Sequence, residues 1–162
     1  MTALVIRKAS LDDIEVIIEL SDLLNKSQGM TSWTRPLKNV IAGNWKNVDV
    51  WVAEYDKNSV GYIAGFEHFQ IHNSYSRYVI SSLYVRESSR RQGIGTQLLE
   101  TVLISKKKDN IQQFAIDTLP DKSPEACALY TKFGFDEHKT RYANYRLGFD
   151  RLENYYKSLE IC

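Results

Sequence analysis

The sequence predicts an α+β fold in which helices flank a mixed, mostly antiparallel central sheet of six to seven strands. Three observations predict it. Apolar residues recur with helical spacing in several segments, they alternate with polar residues through the stretch from Val50 to Val85, and a glycine-containing loop then leads into another helix. The element order is β-α-α-β-β-β-α-β-α-β-β-α, which indicates a sheet packed against helices.

The composition fits a single soluble domain spanning residues 1–162. Apolar residues make up 43% of the chain and charged residues 25%, as in globular proteins. Lys and Arg number 21 against 20 Asp and Glu, and this balance argues against a nucleic-acid partner. No apolar run approaches the roughly 18 residues of a membrane span. With 2 cysteines and no disulfide framework, we expect a cytoplasmic protein.

The first half of the chain is predicted to form a strand, two helices and three further strands. Leu4 to Arg7 is the first strand, and Ser10 is a suitable N-cap for a helix reaching about Asn25. Pro36 suits the first turn of the second helix. The three strands that follow are Val50 to Tyr55, Val60 to Gln70 and Tyr78 to Val85.

In the second half, helices and strands alternate. The helix after Gly95 is expected to end in a solvated turn at Lys106 to Lys108, and it provides a crossover between the strands on either side. The later segments are a strand at Gln113 to Thr118, a helix at Pro124 to Phe133, strand-like segments within Phe135 to Leu147 and a last helix at residues 150–159.

The loop before the third helix contains the features of an anion-binding site. In "RESSRRQGIGTQLLE", glycines at 93 and 95 allow a ligand to approach the backbone, and the helix start offers unpaired N–H groups. Arg90 and Arg91 add positive charge, and the Thr96 hydroxyl is a further donor. This combination suits a pyrophosphate, although a glycine-relaxed helix start with solvated arginines explains the loop equally well.

Two common nucleotide motifs do not match this loop. A Walker loop requires Gly-Lys-Ser/Thr after four spacer residues, and no such lysine follows Gly93. A dinucleotide-binding fingerprint requires a third glycine three residues after Gly95, where this chain has Leu98. Any pyrophosphate bound here therefore belongs to another class of ligand.

A second motif identifies that class. Arg90-x-x-Gly93-x-Gly95 is followed by "ACALYTKFGF", and together they resemble the acetyl-coenzyme A binding core of the GCN5-related N-acetyltransferase (GNAT) superfamily. The resemblance covers the order of elements from Leu4 to Leu147 and implies a GNAT-like sheet with a splayed strand pair at the cofactor site. The residues matching the second motif are Ala126, Leu129, Tyr130, Gly134 and Phe135.

The resemblance also implies which residues bind acetyl-CoA. Its pantetheine arm would pair with the strand residues Leu83, Tyr84 and Val85. Its pyrophosphate would bind the loop, whose members are Arg90, Arg91, Gln92, Gly93, Ile94, Gly95 and Thr96. Many family members carry Asn where this chain has Ser123. Ser123 therefore either contacts the cofactor or caps the helix that begins at Pro124.

Two residues are candidates for proton transfer. The family's tyrosine, here Tyr130, protonates the departing thiolate, unless it serves only to pack beside Phe133. A general base must take a proton from the amine, and Glu67 is the first candidate, with Asp117 and a water relay behind it. Glu67 also fits a solvated edge position. The residues His68, His72, His138, Cys127 and Cys162 have no ligand spacing, so we expect no metal.

We therefore expect an acetyl-CoA-dependent N-acetyltransferase in which a primary amine attacks the thioester directly within a ternary complex. The acceptor would contact the segments Lys26 to Arg35 and Arg141 to Tyr145. A polyamine or aminoglycoside acceptor would favour an acidic cleft and a protein N-terminus an open groove, and both stay open. The alternative is a catalytically inactive CoA-binding or sensing module, whose helix at residues 150–159 would form a homodimer contact.

Overall fold

The protein contains a five-stranded sheet with the strand order β1-β2-β3-β4-β5. The computed structural model describes residues 4–30, 37–107 and 111–137. The strands are β1 (Leu4–Lys8), β2 (Asp49–Tyr55), β3 (Asn58–Gln70), β4 (Tyr75–Val85) and β5 (Gln113–Ile116). The helices are α1 (Ile14–Ser27), α2 (Leu37–Asn44), α3 (Ile94–Lys106) and α4 (Pro124–Lys132).

The sheet confirms the expected mixed and mostly antiparallel topology. Strands β1 to β4 pair antiparallel with their neighbours, and β5 lies parallel to β4. Helix α3 makes the crossover between β4 and β5, as the sequence predicts. A parallel pair requires such a connection, because the chain must return to the end of the sheet from which it left.

The expected count of six to seven strands is not matched within the described residues. The two additional strands were expected between Phe135 and Leu147. Residues 135–137 are described and are not in a strand, and the rest of that segment, like the expected helix at residues 150–159, lies outside the described residues.

Both faces of the sheet carry part of the buried core. On one face, Ile17 and Leu20 of α1 pack in a cluster with Val52, Tyr62 and Tyr84. Alternate residues of the same strands point to the other face, where Ala53 and Ile63 are fully buried. Helix α3 contacts β1 to β4, and its buried residues are Ile94, Leu98, Leu99 and Val102. This packing fixes where α3 begins relative to the end of β4.

A partly buried ion-pair network joins the first strand to the start of the first helix. Arg7 donates to both carboxylate oxygens of Asp13, at 2.9 and 2.7 Å, and to Glu54 Oε1 at 2.6 Å. Asp13 also accepts from the backbone N–H of Ser10 at 2.8 Å, which completes the expected cap. The hydrogen bonds from Arg7 lower the pKa of Asp13 to about 2, against the opposing effect of burial.

The chain divides into two compact units, Met1–Leu129 and Tyr130–Cys162, with the boundary inside α4. The single domain spanning residues 1–162 stays a prediction. Within the described ranges, no helix is both long and apolar enough to cross a membrane.

Asp13→Asn should destabilise the protein by about 2 kcal/mol at pH 7. Because the folded-state pKa is depressed, this contribution is present above the ordinary carboxyl pKa and is lost as the pH falls through about 2. The measurement is urea unfolding of both proteins between pH 7 and pH 2. Asp12→Asn, an exposed neighbour in the same turn, is the control, and an equal loss in both variants would contradict the network's role.

Candidate active site

Strand β4 carries a bulge before the residues predicted to bind the cofactor. Its pairing with β3 passes from Gly65↔Ile80 to Ala64↔Ser82, so Ser81 is an extra residue on β4. The Ser81 hydroxyl donates to the carbonyl of Ala64 at 3.2 Å. A bulge bends its strand and increases the local twist. The direction of β4 therefore changes immediately before Leu83.

Beyond the bulge, β4 has a neighbour on one side only among the described residues. Strand β5 pairs with Arg77 to Ile80, whereas β3 stays paired with β4 as far as Val85. Five residues of β4, 81–85, thus extend past the pairing with β5. Within the described part of the chain, their backbone on that side has no strand partner.

The hydrogen-bonding pattern shows which backbone groups point to that side. Arg86 N–H donates to the Val60 carbonyl at 2.8 Å, which makes these two residues a hydrogen-bonded pair of the antiparallel ladder. Such pairs alternate with pairs whose N–H and C=O groups point away from the partner strand. The backbone groups of Leu83 and Val85 therefore point away from β3. Donors and acceptors are presented in a row at the end of β4.

The loop that follows brings backbone amides to the start of α3. Arg91 and Gly93 both have left-handed backbone, with φ of +64° and +76°. The first helical bond runs from Gln97 N–H to the Gly93 carbonyl at 3.0 Å. The N–H groups of Ile94, Gly95 and Thr96 consequently have no partner within the helix. A Cβ at Gly93 would meet no atom within 4 Å, so the space beside this backbone is open.

The two arginines of the loop have different surroundings. Arg90 Nε donates to the Val85 carbonyl at 3.1 Å, and its guanidinium carbon lies 5.5 Å from the centre of the Tyr84 ring. Arg91 pairs with Glu125 of α4 at 2.5 Å, and both side chains are largely exposed. An exposed pair contributes at most about 1 kcal/mol, so an anionic ligand can displace Glu125. Arg90 positions the end of β4, and Arg91 is the more available cation.

The remaining loop residues contribute mainly through the backbone. Gln92 and Gly93 are exposed, whereas Ile94, the first residue of α3, has a buried side chain that anchors the start of the helix. A Cβ at Gly95 would lie 3.6 Å from Leu129, which is ordinary contact. An alanine would fit there, so Gly93 is the glycine that the loop conformation requires.

Arg86, at the start of the loop, binds α1 through an ion pair. The sequence did not predict this contact. Its two terminal nitrogens donate to the two carboxylate oxygens of Glu19, each at 2.9 Å, and Nε donates to the Ser59 carbonyl at 3.1 Å. The glutamate hydrogen bonds raise the pKa of Arg86. Nothing local in the sequence connects these residues, because the ion pair joins positions far apart in the chain.

The predicted helix cap at Ser123 agrees with the backbone of α4. The Ser123 carbonyl accepts from the N–H groups of Ala126 and Cys127, each at 3.1 Å, and Pro124 is the first helical residue. Ser123 thus occupies the N-cap position. Its predicted contact with the cofactor stays a prediction.

In the second unit, Tyr130 takes part in the C-terminal cap of α4. Gly134 has φ of +83°, its N–H donates to the Thr131 carbonyl at 2.9 Å, and Phe135 N–H donates to the Tyr130 carbonyl at 3.1 Å. These are the two bonds of a Schellman motif, and the accompanying apolar contact is between the rings of Tyr130 and Phe135, 6.1 Å apart. Tyr130 itself is 7% exposed. The Gly-Phe of the motif thus ends the helix that carries the tyrosine.

Glu67 lies on the other side of the bulge from Val85. It is opposite Tyr78, and its Oε1 accepts from Lys106 Nζ at 2.9 Å. Lys106 also pairs with Asp49 at 2.8 Å and lies 5.1 Å from the centre of the Tyr78 ring. The lysine side chain is only 12% exposed, so the expectation of a solvated helix end is wrong for Lys106.

The cluster of Glu67, Lys106, Asp49 and Tyr78 shifts the pKa values of two of its members. Burial opposes ionisation of Asp49, but hydrogen bonds from Lys106 and Lys8 hold its pKa below the ordinary value. Burial, with the nearby charge of Asp49, raises the pKa of Tyr78. Among the residues that the structure describes, no group of three or more His, Cys, Asp or Glu is placed to hold a metal ion.

Sequence comparison relates the chain to a family of enzymes. A family model for the acetyltransferase (GNAT) domain matches residues 46–137. An N-alpha-acetyltransferase of Saccharolobus solfataricus is 31% identical over 153 residues, covering 90% of this chain and 87% of that protein. An N-alpha-acetyltransferase of Sulfurisphaera tokodaii is 32% identical over 142 residues, covering 83% of this chain and 81% of that protein.

Structure comparison agrees on the fold. An aminoglycoside N-acetyltransferase in complex with CoA matches with a TM-score of 0.72 and 19% identity, covering 91% of this chain and 96% of that structure. Similarity at this level of identity concerns the fold and not the acceptor.

Lys106→Met should destabilise the protein by about 2 kcal/mol, because it leaves two carboxylates beside the buried Tyr78 without their shared cation. Lys107→Met removes the same charge from an exposed position and should cost less than about 0.5 kcal/mol. Urea unfolding of both variants measures the difference. Equal losses of unfolding free energy in the two variants would contradict a stabilising role for the Lys106 ion pairs.

Proposed function

We propose, from the premise that this chain belongs to the GNAT family of N-acetyltransferases, that it transfers the acetyl group of acetyl-CoA to a primary amine by direct attack in a ternary complex. The observation that carries the proposal is the end of β4. There, outward-pointing backbone groups of Leu83 and Val85 lie next to a glycine loop with unpaired amides. The two features match the pantetheine amides and the pyrophosphate of the co-substrate.

The chemistry of these groups fits acetyl-CoA. Pantetheine contains two amides, which can pair with a strand edge as another strand would. A pyrophosphate requires clustered N–H donors, and the start of α3 supplies them beside Gly93. Arg91 would add charge after release from Glu125, and Arg90 would hold the Val85 carbonyl in place.

In the proposed reaction, acetyl-CoA supplies a thioester carbonyl that the neutral amine attacks. The bond between carbon and sulfur breaks as the bond between carbon and nitrogen forms, and the amine nitrogen loses a proton. Val85 N–H is the candidate donor to the carbonyl oxygen, where negative charge develops. Tyr130 is the candidate acid for the leaving sulfur, because a phenol of pKa about 10 can donate to a thiolate.

Glu67 is the candidate base of the same proposal. The register places Glu67 six residues along β3 from Gly61, the residue opposite Val85, which is about 20 Å at 3.3 Å per residue. Its carboxylate, which accepts from Lys106, would therefore receive the amine proton through a chain of waters. Its side chain is 48% exposed, which leaves it accessible to solvent and to a water relay.

For the acceptor, we propose the α-amine at the N-terminus of a polypeptide. The support is that both curated relatives are N-alpha-acetyltransferases, at 31% and 32% identity. The aminoglycoside enzyme is similar at 19% identity and supports the fold alone. The polypeptide N-terminus is therefore the acceptor class to test first.

Gly93→Val should weaken acetyl-CoA binding by more than about tenfold, because the side chain would enter the open space beside the loop amides. Gly29→Val is a matched control. Its φ of +71° is similar and its Cβ also meets no atom within 4 Å, so both variants share the backbone strain. Calorimetric titration with acetyl-CoA measures the affinity. Unchanged affinity in a folded Gly93→Val protein would refute the assignment of the loop.

Tyr130→Phe should lower kcat by about a hundredfold while the affinity for acetyl-CoA changes little, because it removes only the proton donor. Tyr78→Phe, which also removes a buried hydroxyl, is the control. The rate is measured as release of free thiol with a peptide that has a free N-terminal amine. In the same assay, the pH profile of kcat for Glu67→Gln tests the role of Glu67 as the base. Thiol release unaffected by Tyr130→Phe would exclude its role. Binding of acetyl-CoA without thiol release for any amine would favour a sensing module.

A further inference from the structure

A cavity opens on the α1 side of the end of β4. Its volume is about 630 Å³, which is within the range of small-molecule and peptide side-chain sites. The lining residues are Leu23, Lys26, Ser27, Tyr84, Arg86, Glu87 and Ser88. Tyr84 lies between Leu83 and Val85 in the chain, so the cavity adjoins the strand residues assigned to the co-substrate. An amine that reaches this strand from the α1 side would place the rest of its molecule here.

The charged groups of the cavity are not equally available. Arg86 is held by both carboxylate oxygens of Glu19 at 2.9 Å. Glu87 is 3.9 Å from Arg90, and its side chain is 77% exposed. Lys26 is exposed, and the described part of the chain shows no ion pair to it. Three cations and two anions therefore lie in or beside the cavity, and Lys26 is the cation left to bind a ligand.

We propose that Lys26 recognises an anionic group of the acceptor, so that the enzyme prefers a polypeptide N-terminus followed by an acidic side chain. The inference rests on the proposed function. Among the other lining residues, Leu23 and Tyr84 offer apolar contact and Ser88 offers a hydroxyl, whereas the exposed carboxylate of Glu87 must lie away from the bound anion. Lys26 is also the first residue of the segment Lys26 to Arg35, which the sequence predicts to contact the acceptor.

The charge distribution also selects against one class of acceptor. A polycation such as an aminoglycoside would approach Lys26 and Arg86, and contact between like charges opposes binding. The surroundings of Lys26 therefore suit an anionic group of the acceptor better than a cationic one.

The test uses three peptides that share the N-terminal residue and differ only in the second, which is Glu, Gln or Lys. Wild type should show kcat/KM in the order Glu, Gln, Lys, with about fivefold between the extremes, since exposed ion pairs are weak. Lys26→Glu should reverse the order, and Lys26→Gln should abolish it. Lys57→Glu, in the turn between β2 and β3, gives the same change of charge elsewhere and should keep the wild-type order.

The outcomes separate the two proposals. An unchanged peptide order in Lys26→Glu would overturn the role of Lys26 while leaving the proposed function in place. A weaker affinity for acetyl-CoA in Lys26→Gln, with the peptide order kept, would show that Lys26 binds a phosphate of the co-substrate, which also overturns this inference. If wild type acetylates polyamines or aminoglycosides but none of the peptides, the proposed acceptor class fails and this inference fails with it.

Discussion

The site depends on one constraint at the end of β4, which must keep its hydrogen bonds to β3 while leaving its other edge unpaired by β5. Pairing with β3 continues to Val85, and pairing with β5 stops at Ile80. The extra residue Ser81 lies between the part of β4 that pairs with both neighbours and the part that pairs with β3 alone. A bulge satisfies both requirements, because it turns the strand while the ladder on the β3 side resumes at Ser82. Within the part of the chain that the structure describes, no strand pairs with this edge, and its backbone groups point away from β3.

The strongly paired charges join elements of the fold to one another. Arg7 joins β1 to the start of α1, Lys106 joins α3 to β2 and β3, and Arg86 joins the end of β4 to α1. Each links elements distant in the chain. A count of charged residues therefore overestimates those that a substrate meets, and the informative charges are the ones whose partners are weak or exposed, such as Arg91.

The motif near the end of α4 combines two different physical roles. Gly134 and Phe135 complete the Schellman motif that ends the helix, since only a residue tolerant of positive φ can occupy position 134. Tyr130 is the residue to which we assign chemistry, and its carbonyl and ring take part in the same helix end. The spacing between the tyrosine and the glycine therefore reflects helix geometry as much as catalysis.

The sequence by itself determined the order of helices and strands through α4, the mixed sheet, the glycine-containing loop before the third helix and the family, although α3 begins at Ile94 and not after Gly95. These depend on local features such as apolar periodicity, glycine at positive φ and the cap at Ser10. Only the tertiary structure decided the bulge at Ser81, the burial of Lys106, the partner of Arg86 and the cavity beside Lys26. Each of these depends on which distant segments pack together, and a periodic pattern along one segment carries no information about its neighbour's register or charge.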